Sequence, residues 1–268
     1  MVKEHDDRFT RGSASGAGMG SAAEAAAVAA SIKVVVYDLT ISTLPDYICR
    51  MRQTEDTYRH KGLRRKLVDV VRGKGITDEK VLAAIEKIPR HFFLDSAFDE
   101  VAYEDKAFPI AEKQTISQPY TVAYQTQLLE LKPFYKVLEI GTGSAYQASV
   151  LAELGAQVYT IERQKKLFDS NKAFAYIKKY PNIKFFYGDG YEGLPTFAPF
   201  DRVLITAAAP EIPQKLINQL KPGGMMVIPV GSGDVQTMKR LTKLPDGSLT
   251  EEIFDRFSFV PMLGGKND

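Results

Sequence analysis

Val137-Leu138-Glu139-Ile140-Gly141-Thr142-Gly143-Ser144-Ala145-Tyr146 is the stretch whose reading decides the fold. Its first four residues, mostly apolar, read as a buried parallel strand, and the two glycines read as the tight turn that leads into a helix. Such a turn lets backbone N–H groups and a helix N-terminus approach a ligand that a Cβ would hold off. Val158-Tyr159-Thr160-Ile161 follows as a second strand and ends in Glu162, twenty-one positions after Gly141. A carboxylate about 20 residues beyond the first glycine is the usual acceptor for ribose hydroxyls, so the unit reads as a nucleoside site.

The choice between nucleoside ligands rests on two residues. A dinucleotide fingerprint wants a third glycine at the sixth position, for close helix–strand packing, and this chain has Tyr146 there. Glu139, two residues before Gly141, is an acid inside an apolar strand, which a pyrophosphate would not favour and to which a cationic sulfonium raises no such objection. The pattern resembles motif I of S-adenosylmethionine-dependent methyltransferases.

The rest of the chain sets the bounds. Its 268 residues, 44% apolar and 25% charged, suit a soluble domain with a smaller lobe. A net charge of +2 supplies no field toward nucleic acid or membrane. The single cysteine, Cys49, excludes an intramolecular disulfide and a cysteine zinc cluster, and His5, His60 and His91 are not at ligand spacing, so no metal is expected. Residues 1–53, rich in Gly, Ala and Ser, read as a disordered or non-native extension, with a strand-like run from Val34 to Ile41. Acids among the first residues argue against a secretory signal, and a cytoplasmic location is expected from this and the lone cysteine.

Residues 54–106 are expected to form an N-terminal helical lobe. Leu63, Leu67, Val68 and Val71 share one face of a first helix, and Thr77 is the expected cap of a second, whose stripe is Val81, Leu82, Ile85 and Ile88. The bases Arg59, Lys61, Arg64, Arg65, Lys66 and Arg72 read as a solvated face, and His91 as a packed or hydrogen-bonded histidine. Residues 107–268 read as a doubly wound α/β domain. Lys113 to Tyr120 is a polar loop before a helix, with Pro119 in its first turn and Ser117 or Gln118 as its cap. Beyond motif I the expected elements are a helix from Leu167 to Tyr180, strands at Ile183–Tyr187 and Pro199–Thr206, a helix from Ile212 to Leu220, and a strand from Met225 to Val230. A hairpin-like pair, Gln236–Leu244 and Ile253–Val260, closes the sheet. Gly188-Asp189-Gly190 puts an acid between glycines at a strand end, where it could accept from an adenine amino group or simply turn the chain.

Taken together, Thr115-Ile116-Ser117-Gln118-Pro119, Val137 to Gln147, Val158 to Arg163, Gly188-Asp189-Gly190, Ala198 to Arg202, Thr206-Ala207-Ala208 and Phe259-Val260-Pro261 strongly resemble the protein-L-isoaspartate O-methyltransferase family over about residues 55–268. Members usually carry glycine where this chain has Ala145, which adds a methyl at the cofactor or at the helix–strand contact. The resemblance implies a Rossmann-like sheet with an N-terminal helical lobe and a C-terminal strand pair. It implies methyl transfer from S-adenosyl-L-methionine to the α-carboxylate of L-isoaspartyl residues, which begins repair through a succinimide. By the same resemblance Ser117 is catalytic. Gly141, Thr142 and Gly143 hold the methionine part of the cofactor, Glu162 the ribose, and Asp189 and Gly190 the adenine. Ile116, Ser117, Gln118, Val260 and Pro261 contact the substrate, an isoaspartyl protein or peptide. No nucleic-acid or membrane partner is implied. Two other readings compete: a methyltransferase of the same fold acting on RNA or a small molecule, and a non-catalytic isoaspartyl-binding adaptor.

Overall fold

The computed structural model describes residues 55–268, so the extension expected over 1–53 and its strand-like run lie outside the described residues. Helix α1 (Tyr58–Gly73) starts at Thr57, whose hydroxyl accepts from the His60 N–H while His60 Nδ1 accepts from the Thr57 N–H. This reciprocal cap satisfies two N–H groups that a helix start leaves open. Helix α2 (Glu79–Lys87) is capped by Asp78 and not by Thr77: the Asp78 carboxylate accepts from Lys80 and Val81. Thr77 and Asp78 both donate their N–H groups to Gln127 Oε1, a contact from a distant helix.

A short antiparallel pair, β1 (Phe108–Pro109) and β2 (Thr115–Ile116), precedes helix α3 (Pro119–Leu128). The chain then alternates: β3 (Lys136–Ile140), α4 (Tyr146–Glu153), β4 (Gln157–Glu162), α5 (Lys165–Ala173), β5 (Ile183–Tyr187), β6 (Phe200–Ile205), α6 (Gln214–Asn218) and β7 (Leu220–Val230). Strands β8 (Gln236–Lys243) and β9 (Leu249–Phe257) form the closing hairpin. The seven main strands lie in the order β5-β4-β3-β6-β7-β8-β9, parallel from β5 to β7 and antiparallel through β8 and β9. The parallel strands are apolar on both faces because both faces are covered. Val137, Val158, Leu204 and Val227 join the core under α1 to α4, whereas Leu138, Tyr159, Val203 and Ile205 pack with Leu216 and Ile217 of α6.

Several helix and strand ends differ from the sequence expectation; the last strand, expected over Ile253–Val260, runs from Leu249 to Phe257, because it pairs with β8 across the Pro245–Ser248 turn. The helix expected to run to Tyr180 ends at Ala173, where Phe174 turns extended and sets its ring edge-on to Phe93, 5.3 Å between centroids. A 3-10 turn, Ala175–Lys179, completes the segment. The helix expected from Ile212 begins only at Gln214, because the residue before Pro213 disfavours helix. Strand β7 begins at Leu220, and a register shift between Phe200 and Arg202 absorbs Pro222-Gly223-Gly224. Arg64 also departs from the solvated face expected of it. It is 5% exposed, paired through both terminal nitrogens with Asp56, and donates to Tyr103 and to the Glu86 carbonyl. No described helix is long and apolar enough to cross a membrane.

Candidate active site

Strand order reverses between β3 and β6, so a crevice opens at their carboxyl ends, where open α/β sheets bind ligands. The glycine turn fills the floor of that crevice. The Gly141 and Thr142 N–H groups both donate to Ile161 O, at 3.0 and 3.2 Å, which folds the turn over β4. Gly141 has φ +94°, and a Cβ there would lie 2.6 Å from Thr206 Oγ1. Thr206 cannot easily yield, since its hydroxyl is within hydrogen-bond distance of the Ile140 and Gly141 carbonyls. The Gly143 N–H donates to Glu162 Oε2 and its carbonyl accepts from Asn171 Nδ2, both at 2.8 Å. Glu162 Oε1 accepts from the Gln164 N–H, so this carboxylate, 4% exposed, fixes the turn from β4. Burial raises its pKa.

Ala145 adopts the left-handed conformation, φ +66° and ψ 15°, at the start of α4. Its methyl belongs to the main core cluster, and Ala145 is absent from the lining of the cavity above the turn. The methyl thus lies in the core and outside the lining of that cavity. Glu139 is 0% exposed, and neither carboxylate oxygen has a hydrogen-bond partner. Burial pushes its pKa up to about 8, against the opposing pull of the Thr160 hydroxyl and with a smaller push from the Glu162 charge.

Ser117 follows β2 directly. Gln118 is the cap residue of α3 by position, but its side chain makes no capping bond. Asp105 does that work: its Oδ1 accepts from the Tyr120 N–H (2.8 Å) and its Oδ2 from Gln118 Nε2 (2.9 Å), with Lys74 Nζ 2.6 Å away. The loop is thus held by the β2 pairing before Ser117 and by Asp105 after it, while no hydrogen bond to another described residue engages the Ser117 hydroxyl. Thr115, Ser117, Thr206 and Val260 line two adjoining spaces, a cavity of about 60 Å³ over Gly141 to Gly143 and a groove of about 550 Å³. Lys74, Tyr120 and Arg256 also border the groove. Beside it the Val260 carbonyl accepts from Ala208 (2.8 Å), and Met262 donates to Ala208 O (2.7 Å). Pro261 bridges to Ala208 and is itself exposed. Among the described residues the Val260 N–H and the Phe259 carbonyl have no partner. Ile116, buried, shapes the cavity wall.

Asp189 lies past the end of β5. Its Oδ1 accepts from Tyr191 (2.9 Å) and its Oδ2 from the Gly265 N–H (2.7 Å). A Cβ on Gly190 would collide with Ile140 Cγ2, so the glycine permits close approach to β3. Arg163 donates to the Gly264 and Gly265 carbonyls, and Asn267 bonds to Arg163 and Lys165, so residues 264–267 run along the ends of β4 and β5. Sequence spacing carried no sign of Asp105, Asn171 or the 264–267 segment in this site, because each reaches it from an element distant in sequence.

The histidines are also closer in space than in sequence. His60 and His91 stack at 3.9 Å, and with Asp56 their ligand-type atoms lie within 4.8 Å of one another. Every ring nitrogen is nevertheless engaged. His60 Nδ1 accepts from Thr57 and Nε2 bonds to Asp99, while His91 Nδ1 meets the Tyr103 hydroxyl (2.6 Å) and Nε2 donates to Glu55 O. His91 is a hydrogen-bonded core histidine, and neither ring offers a free lone pair to an ion.

The glycines that permit close approach, the carboxylate at the end of β4 and the crevice at the strand switch suit an adenosyl sulfonium ligand. Together with the sheet order they define an S-adenosylmethionine-dependent methyltransferase. The chain belongs to the protein-L-isoaspartate(D-aspartate) O-methyltransferase family, whose sequence profile matches residues 62–267. It is 59% identical over 210 residues to the protein-L-isoaspartate O-methyltransferase of Cytophaga hutchinsonii, covering 78% of this chain and 95% of that one. The Christiangramia forsetii protein of the same description is 55% identical over 213 residues, covering 80% of this chain and 100% of its own. A solved protein-L-isoaspartate O-methyltransferase superposes with a TM-score of 0.68 at 29% identity, over 75% of this chain and 66% of that one. A Plasmodium falciparum protein in complex with S-adenosyl-L-homocysteine shares the fold, with a TM-score of 0.65 at 23% identity, over 78% of this chain and 99% of that one.

Proposed function

We propose that this enzyme methylates the α-carboxylate of L-isoaspartyl residues in damaged proteins and peptides, in the cytoplasm, with residues 54–106 as a helical lobe beside a methyltransferase domain over 107–268. The observation that carries the residue assignment is the placement of Ser117, on a loop pinned by Asp105, where it lines both the small cavity and the larger groove. When bound, S-adenosyl-L-methionine supplies an electrophilic methyl group. Gly141, Thr142 and Gly143 would hold its methionine part, Glu162 its ribose, and Asp189 and Gly190 its adenine. Glu162 and Asp189 already accept backbone N–H groups, and the remaining lone pairs of each carboxylate are the ones available to the ligand.

The residues at the junction suit an anionic nucleophile. A substrate carboxylate with an ordinary pKa near 3.9 is ionised at neutral pH, so no base has to remove a proton. A substrate carboxylate oxygen would take the methyl in a new C–O bond as the S–C bond broke, with the sulfur leaving as a neutral thioether, so no residue of this chain has to move a proton. Charge disappears along this path, so a cationic clamp on the carboxylate would stabilise the ground state more than the transition state. The neutral Ser117 hydroxyl orients an oxygen without that penalty, and Ile116 and Gln118 set the loop on either side of it. The unpaired Val260 N–H and Phe259 carbonyl suit an extended peptide backbone, with Pro261 at the rim. Recognition through main-chain bonds accepts many sequences. The ester formed then closes to a succinimide without further help from the enzyme, losing methanol.

The test is transfer of labelled methyl to two peptides that differ only in carrying L-isoaspartate or L-aspartate. Base-labile label in the isoaspartyl peptide alone, reduced about 100-fold or more by Ser117→Ala, is the expected result. Label in both peptides equally would sink the substrate assignment, and full activity of the alanine variant would sink the role of Ser117.

A further inference from the structure

Arg90 opens the 3-10 turn Arg90–Phe93 that follows α2, and it is 0% exposed. Burying a guanidinium is costly unless its charge and its donors are met. Arg64 meets that cost with Asp56, whereas among the described residues Arg90 has no carboxylate in ion-pair contact. Burial pulls its pKa down to about 10, against the attraction of Tyr146 and then of Asp105. The group is therefore charged at neutral pH. Packing alone does not call for it, since an apolar side chain of similar volume fills a core at least as well.

What the arginine holds gives the reason. Its Nε donates to Ala102 O (3.1 Å) and its Nη2 to Lys106 O (3.2 Å), so one planar group grips both ends of the segment 102–106. That segment carries Asp105, whose carboxylate holds Gln118 and the start of α3, and whose carbonyl accepts from Gln118 Nε2 as well (3.0 Å). It runs on into Ala107, which borders the groove with Thr115 and Ser117.

On its other side the guanidinium carbon lies over the Tyr146 ring, 5.0 Å from its centroid. Tyr146 is the first residue of α4 and lines the cavity over the glycine turn. The Tyr146 hydroxyl and Arg90 Nη1 are both buried without a hydrogen-bond partner, so the two residues meet as ring and cation. Arg90 thus touches the wall of that cavity on one side and the support of the Ser117 loop on the other.

We infer that Arg90 is a positioning residue for methyl transfer, fixing the segment 102–106 against Tyr146 so that Asp105 holds Ser117 at a set distance from the glycine turn. The inference rests on Ser117 orienting the substrate carboxylate. In-line transfer tolerates little misplacement: a shift of about 1 Å costs on the order of 100-fold in rate. Lysine at this position keeps the charge but lacks the fork that spans both carbonyls.

The test combines Arg90→Lys and Arg90→Met with Asp105→Ala in the full-length protein, with an L-isoaspartyl peptide as methyl acceptor. Either arginine variant is expected to lower kcat about 10- to 100-fold, with KM for the peptide and calorimetric affinity for S-adenosylhomocysteine each within about threefold. Adding Asp105→Ala should lower kcat no further than the worse single variant does, because the two residues act along one line of contacts. Hydrogen exchange in the folded variants should rise over residues 102–118 and stay unchanged in β3 and β4. The lysine variant stands in if the methionine variant does not fold. Unchanged kcat, or losses that multiply with that of Asp105→Ala, would overturn the inference. Failure of both arginine variants to fold would overturn it in favour of a purely structural role. A wild type that leaves the isoaspartyl peptide unmethylated would overturn the substrate assignment, and this inference with it.

Discussion

Replacing Glu139 with glutamine should make the protein more stable, and by an amount that depends on pH. The carboxyl group is fully buried in the middle of β3 with neither oxygen hydrogen-bonded, and its pKa rises from 4.5 to about 8 in the fold. In the unfolded chain the group ionises near 4.5, whereas in the fold it holds its proton until about pH 8. Between those values the native state binds one more proton than the unfolded state, so wild-type stability falls by about 1.4 kcal/mol for each pH unit gained. The contribution is whole below pH 4.5 and lost as pH rises through about 8, and the total is about 5 kcal/mol. Glutamine has the shape of the protonated acid and does not titrate. Urea unfolding of both proteins at intervals from pH 5 to pH 9 should give curves that nearly meet at the acid end. They should diverge steadily to about pH 8 and run parallel above it. Curves that stay parallel throughout, or a wild type that gains on the variant as pH rises, would refute the assignment of a buried, unpaired carboxyl.

Gly141→Ala should cost about 2–4 kcal/mol, from left-handed backbone strain plus the 2.6 Å approach to Thr206 Oγ1, and should lower the midpoint of thermal unfolding by about 5–15 °C. Adding Thr206→Ala should return the steric part only, which a double-mutant cycle reads directly. Burial, with the His60 ring close by, holds His91 below the usual histidine range. The stability this neutral ring contributes is present above pH 6.5 and lost as pH falls through the depressed value, so the acid limb of an unfolding–pH profile should flatten in His91→Gln. Asp105→Ala should cost about 1 kcal/mol as a lost cap and also lower methyl transfer, since it frees the loop that carries Ser117. Stability loss with an unchanged kcat would show that the cap does not position the serine.

The parallel sheet was legible because its strands are short apolar runs closed by turn residues, and because a glycine turn and an acid at fixed spacing announce a βαβ unit. Helix ends were less legible. Phe174 stops α5 by burying its ring against Phe93, a contact that no local periodicity reports. Asp78 takes the cap expected of Thr77 because Gln127, from α3, claims the neighbouring N–H groups. The same limit applies to the site. Ser117 and the glycine turn stand in recognisable local patterns, whereas Asp105 reaches α3 across a loop and Asn171 reaches Gly143 from a different helix. Arg64 looked like one more base on a charged face. Its partners, Asp56 and Tyr103, are what make it a buried strut.

Strand β9 is the last of its sheet, and the chain beyond it borders the groove. An open strand edge that can receive extended peptides of many sequences can also receive another copy of itself, and such edges seed aggregation. This edge carries its own deterrent. Glu251, Glu252, Asp255 and Arg256 punctuate its nine residues, with Lys239 and Arg240 of β8 anchoring the first two acids. A flat, apolar neighbour would find no continuous surface there. If the segment beyond β9 takes the substrate backbone as proposed, acceptance of damaged chains and resistance to polymerising with them lie in adjacent parts of one strand and its exit.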